Sequence, residues 1–292
     1  MQRFVDLTLN GVTYGMIYAV FALAIVLIWR ATRIVNFAQG AQAMVTTYIA
    51  ATLVEHQANY WLAVVVALAS GLVIGGVIER VIVRPVEKGP VLNPVIVTLG
   101  TLVALEALAG IIWGGGLRSF PAYFSQIGVV VGKHRLAFSH FDIYVLVAIV
   151  SVMVLLVLLF RFTPLGLRMR ASAFAPEVAR LLGVRVGRML TLGWALAGVV
   201  GALAGVLVAP KLLLSPNFMD AVFIYGFTAA VIGGLDSPLG AVVGGLATGL
   251  ALSYVGGYLG STLEALGALA MLMVVLMLRP QGVFTRVTSR EV

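Results

Sequence analysis

The sequence contains no cysteine. That excludes disulfides, thiol chemistry and any cysteine-based metal site. Charge is also scarce: 10% of the residues are Asp, Glu, Lys or Arg, against roughly 25% in a soluble globular domain. Three histidines are present, His56, His134 and His140. None has the spacing of an HExxH zinc site. Two lie in one loop and the third at the end of an apolar run, so no Ser-His-Asp arrangement can be built from them. A nucleotide loop is missing as well. Gly128-Val-Val-Val-Gly132-Lys133-His134 is one residue short of GxxxxGK[ST] and ends in histidine. No metal site, no bound cofactor and no catalytic constellation are expected in this chain, which reads as a non-enzyme.

Apolar residues are abundant. They make up 61% of the chain, with a mean hydropathy of +1.09. This is the composition of a polytopic membrane protein, an all-α helical bundle forming a single transmembrane domain over residues 1–292. Nine apolar segments are legible, at 7–29, 37–54, 61–78, 91–113, 141–160, 189–209, 221–235, 239–255 and 262–278. About 20 apolar residues cross a bilayer, so eight or nine spans are expected, eight if the second segment only dips in. The first segment lacks a basic flank and a small-residue cleavage site, so it is expected to stay. The net charge of +8 does not point to nucleic acid, because the Lys and Arg residues sit in short gaps between apolar runs. With nine crossings, one side collects fourteen basic residues: Arg30, Arg33, Arg80, Arg84, Lys88, the six arginines of residues 161–188, Arg279, Arg286 and Arg290. The other side collects five, Arg3, Arg118, Lys133, Arg135 and Lys211. The positive-inside rule makes the first set cytoplasmic. Eight crossings would split the charges thirteen to six, so the rule barely places the N-terminus. The loop at 114–140 is then extracytoplasmic. Residues 127–131 and 135–138 are β-prone runs around Gly132-Lys133-His134 and predict a short hairpin, which either meets an outside protein or is merely solvated.

Polar groups within the apolar segments invite a functional reading. Asn36, Gln39, Gln42 and Thr46 recur at helical spacing within one arc. They either bond neighbouring helices together or line a translocation path. Glu106 lies inside the fourth segment and has the same two readings, of which a packed structural carboxyl is favoured. Gly233, Gly234, Gly240, Gly244 and Gly245 crowd two short segments. They mark close helix packing, broken helices beside a path, or contact with a second subunit.

The longest polar interruption of the second half, residues 161–188, carries Arg161, Arg168, Arg170, Arg180, Arg185 and Arg188. Within it Pro176 suits a first helical position. Glu177 suits the first turn, and Gly183 the residue beyond the last turn. Val178, Leu181 and Leu182 then form one apolar face. About seven residues cannot hold a helix unaided, so a partner surface is expected. Ala175 offers no side-chain cap; Ser172 would supply one if the helix started earlier.

These residues also carry a resemblance. Glu177-Val178-Ala179-Arg180-Leu181-Leu182-Gly183 is similar to the E-A-A-x-x-x-G loop of ABC importer permeases, with Val178 in the second place. The wider text resembles the LivH/LivM family, the membrane subunits of branched-chain amino acid ABC importers. It does so at P-L-G-L-R-M-R-A (164–171), N-F-A-Q-G (36–40), E-R-x-x-x-R-P (79–85), the glycine-rich run 226–245 and the terminal R-P-x-G-x-F (279–284). Gln39 replaces a family histidine, and Ala175 stands where relatives carry Asp. The resemblance covers residues 10–284. It implies that Pro176 to Gly183 is the coupling helix that meets the ATPase. It implies a second permease subunit, related or identical, two cytoplasmic ATP-binding subunits that hold ATP and Mg, and an extracytoplasmic substrate-binding protein. The implied location is the bacterial inner membrane, and the implied substrate a branched-chain amino acid. Urea, amide and aromatic acid permeases share the family. A secondary transporter or channel without ATPases is the competing class.

Overall fold

The computed structural model describes residues 2–87, 89–90, 92–131, 134–279 and 281–284. Lys88, Arg286, Arg290 and the hairpin tip Gly132-Lys133 fall outside them. All nine apolar segments are helical. They form α1 (Gln2–Thr32), α2 (Gln39–Glu55), α3 (Tyr60–Val77), α4 (Leu92–Trp113), α5 (His140–Phe162), α8 (Val186–Val208), α9 (Asp220–Gly233), α10 (Pro238–Tyr258) and α11 (Glu264–Leu278). Two short helices, α6 (Pro164–Phe174) and α7 (Pro176–Leu181), occupy the arginine-rich stretch. Among the described residues, seven helical segments are long and apolar enough to cross a membrane, counting α3, α8 and α11 with the short turns that adjoin them. The protein is a multi-pass helical membrane protein. α2 and α9, with 17 and 14 residues, are shorter than the roughly 20 residues a straight span needs. Phe37, just before α2, packs on Phe223 and Phe227 of α9.

The bundle is built round α1. Of its most apolar window, 89% is buried inside the protein. Small residues bring its partner α10 into backbone contact: a Cβ on Gly249 would lie 2.2 Å from the Gly15 Cα, and one on Gly245 would lie 2.4 Å from the Ala19 Cα. The same device joins α3 to α8, where Gly71 and Gly198 face each other's carbonyls. α9 and α10 meet at Gly233 and Gly240 in the same manner. Between apolar helices in lipid, such close approach replaces the hydrophobic drive that operates in water. The glycine-rich pair therefore packs within the chain, against α1 and each other.

One charged lock reinforces the α3–α8 contact. α3 runs on into a π-helical turn, Ile78–Val83, which turns the wholly buried Glu79 inward. The Arg84 guanidinium grips both oxygens of that carboxylate at 2.8 and 2.9 Å and also donates to the Gly187 carbonyl and the Thr191 hydroxyl of α8.

The two ends of the bundle differ. β1 (Gly128–Val131) and β2 (His134–Ser139) form the expected antiparallel hairpin. The start of α1 lies against it: Asp6 accepts from the Ala137 backbone N–H at 2.9 Å, and Gln2 donates to the Arg135 carbonyl. The N-terminus is thus at the hairpin end. At the other end Arg33 pairs with Asp236 at 2.5 Å, and α6 and α7 lie there too. The N-terminus and the arginine-rich stretch therefore lie at opposite ends, as in the reading with the stronger charge asymmetry.

Candidate coupling surface and translocation path

The arginine-rich stretch folds as two helices rather than one. Thr163 caps α6 by accepting from the Gly166 N–H, with Pro164 behind it. Ser172 lies inside α6, buried and without a hydrogen-bond partner, so it does not cap an earlier start of α7. α7 begins at Pro176 with no side-chain cap from Ala175. It ends in a Schellman closure. The Gly183 N–H donates to the Arg180 carbonyl, and the Val184 N–H to the Ala179 carbonyl. Gly183 takes a φ of +80°, a conformation open to glycine at little cost. The last helical residue is Leu181, and Leu182 serves as the cap.

Ala179 is the buried contact of α7 with the bundle. The rest of its apolar surface is open. Val178 is 55% exposed, Leu182 78%, Leu181 88% and the adjacent Phe174 91%. Arg180 and Arg185 border this surface in sequence. A six-residue helix with its leucines turned outward is a knob without a socket.

The polar stripe of α2 is buried throughout. Asn36 donates to Gln39 at 3.0 Å, and Gln39 donates to the Ala197 carbonyl of α8 at 2.9 Å. Thr46 bonds back to the Ala43 carbonyl. Gln42 is also enclosed, yet neither atom of its amide has a partner. Glu106 is half-buried, and its carboxyl neighbours that of Asp220 at the start of α9.

A cavity of ≈ 440 Å³ opens instead at the hairpin end, between α1, α9, α10 and the start of α11. Asn10, Tyr14, Tyr18, Tyr225, Ser253 and Glu264 supply its polar groups. Pockets for small ligands occupy about 300–1,000 Å³. Beside it Lys211 pairs with Asp142 at 2.6 Å and lies over the Tyr14 ring. Sequence reasoning missed this cavity. The available signal was Asn10, Tyr14 and Tyr18, one polar or aromatic residue every four positions along an otherwise apolar helix. Asp220 was missed because it lies one residue outside the apolar segment read at 221–235.

The fold itself has a solved counterpart. PsaBC from Streptococcus pneumoniae, solved in complex with a Fab, superposes with a TM-score of 0.51 over 93% of this chain and 91% of that one, at 11% identity. Residues 7–278 match the family described as branched-chain amino acid transport system / permease component. The chain belongs to this family. Among curated members, the high-affinity branched-chain amino acid transport system permease protein LivH of Escherichia coli K12 is 29% identical over 97% of this chain and 96% of its own length. The permease protein BraD of Pseudomonas aeruginosa is 28% identical over 98% and 97%. Membership in the branched-chain permease family fits a bundle of this length end to end, and it gives α7 and the outer cavity a common context, transport across the membrane.

Proposed function

We propose that this chain is the permease subunit of an ABC importer for branched-chain amino acids in the bacterial inner membrane. It works with a second permease subunit, two cytoplasmic ATP-binding subunits that carry ATP and Mg, and an extracytoplasmic binding protein. The observation that carries the reading is α7. It presents Val178, Leu181 and Leu182 to solvent at the end where the basic residues gather, and its closure at Gly183 fixes the shape of the knob. In this reading α7 seats in a groove of an ATP-binding subunit and transmits its movement through α6 and α8. Substrate enters at the ≈ 440 Å³ cavity beneath the hairpin, where the binding protein docks. Asn36, Gln39 and Thr46 hold α2 in place, their hydrogen bonds being made within the bundle. Gln42, which has unused hydrogen-bonding capacity, is the member of the stripe left to meet a passing ligand.

The test is reconstitution of the full complex in liposomes with each branched-chain amino acid and its binding protein. The expected result is leucine-, isoleucine- or valine-stimulated ATP hydrolysis coupled to uptake. Uptake by this chain alone, without ATP-binding subunits, would overturn the reading.

A further inference from the structure

At the arginine-rich end a pocket of ≈ 360 Å³ lies between the end of α1, the end of α5 and α6. Arg30, Arg33 and Arg170 line it, with Asp236 as their counter-charge. Asp236 is already held by Arg33 at 2.5 Å. Neither Arg30 nor Arg170 has a hydrogen-bonded or ion-pair partner among the described residues. Asp236 attracts Arg30 from a distance, while Arg170 and Arg33 repel it. Three guanidinium groups around one carboxylate leave the mouth of this pocket net positive and arranged for a further anion, because each guanidinium can offer paired N–H donors to a phosphate.

The pocket does not end there. Leu27, Arg30 and Phe160 also border a second cavity of ≈ 170 Å³, whose remaining walls include Leu23, Val157 and Leu239. Leu23 is seven residues before Arg30, so this groove reaches about 10 Å along α1 toward the middle of the bundle. Its rim faces outward, with Val157 56% and Leu239 70% exposed. A cationic head site thus opens directly into an apolar slot at the surface a bilayer would cover.

We propose that this composite site binds an anionic phospholipid, its phosphate between Arg30 and Arg170 and one acyl chain in the groove between α1, α5 and α10. Basic pockets between membrane helices select lipid headgroups by this charge match. A free phosphate would leave the apolar slot unfilled. A zwitterionic lipid would bring an ammonium group toward three arginines that face one carboxylate. The pocket is also bordered by Met169, Ala173 and Phe174 of α6, the helix that leads into α7, so the lipid would brace the mount of the proposed coupling helix.

The test is native mass spectrometry of the full-length protein, purified in mild detergent and titrated with phosphatidylglycerol, phosphatidylcholine or glycerol 1-phosphate. Wild type is expected to retain phosphatidylglycerol over phosphatidylcholine and to bind glycerol phosphate poorly. Arg30→Gln with Arg170→Gln should lower phosphatidylglycerol retention roughly tenfold or more, from the loss of two interfacial charges. Val157→Trp with Leu239→Trp adds bulk at two exposed positions, where the fold tolerates it, and should reduce lipid retention by obstructing the slot. Unchanged phosphatidylglycerol retention in the arginine variant overturns the proposal. So does displacement of the lipid by glycerol phosphate together with an inert tryptophan variant, which would reveal a simple phosphate site.

Discussion

Leu181 is where the proposed coupling role is most exposed to test. Its side chain makes almost no contact within the chain, so Leu181→Asp should leave insertion and yield unchanged. Capture of the ATP-binding subunits from detergent should weaken, or ATP hydrolysis should uncouple from uptake. Full capture with normal coupled uptake would remove the docking role. Gly183→Ala tests the closure of the same helix. A left-handed alanine costs about 1–2 kcal/mol, so coupling should weaken with assembly intact, and less severely than in Leu181→Asp. Glu106→Gln addresses the other reading of a membrane carboxylate. The amide keeps the shape beside Asp220 and adds no charge, so assembly and uptake should stay near wild type; uptake lost from an intact complex would make Glu106 part of the path. The residues of α7 were legible because proline, a first-turn acid and a terminal glycine act through local backbone chemistry. Asp220 and Tyr225 were not, because what they face is decided by helices far away in sequence.

Whole elements were legible wherever hydropathy marked them, and less so where it did not. α1 begins at Gln2, five residues earlier than its apolar run, because the hairpin hydrogen-bonds its polar first turns. α6 was not foreseen at all. Its apolar residues are few, and its start depends on the Thr163 cap with Pro164. Which helix packs on which was equally hidden, since a helix apolar on every side carries no directional stripe. The glycines record that pairing, and they can be tested. A side chain on Gly233 would meet the Gly240 carbonyl at 2.0 Å, and one on Gly244 the Ala229 carbonyl at 2.2 Å. Gly233→Leu and Gly244→Leu should each lower the amount of folded permease in the membrane without altering substrate preference in what survives. Normal yields of both would contradict the packing read from these distances. The α3–α8 lock gives a second element-level expectation. Arg84→Met leaves Glu79 buried without its partner, at a cost of about 3–5 kcal/mol. A thermal-shift assay should show a clear loss of stability, relieved in part by adding Glu79→Gln. An unchanged melting temperature would mean the pair is not the clamp its geometry describes.

At the scale of the molecule, the absence of cysteine makes the topology directly measurable. Gln2→Cys lies at the hairpin end and Arg185→Cys at the arginine-rich end. An impermeant maleimide added to intact cells with a permeabilised outer membrane should label the first and reach the second only after lysis. The reverse pattern would invert the orientation drawn from the charge count. The enclosure of α1 has a consequence for how the protein is made. Of the described helices, α1 leaves the ribosome first, and it ends up the most enclosed span. Its closest companion, α10, starts only at Pro238. At about 5–20 residues per second, translation must continue for roughly ten to forty seconds after α1 is complete before α10 begins to emerge. During that interval Gly11, Gly15 and Ala19 face the insertion machinery or bare acyl chains, and the nascent chain has its future centre on the outside.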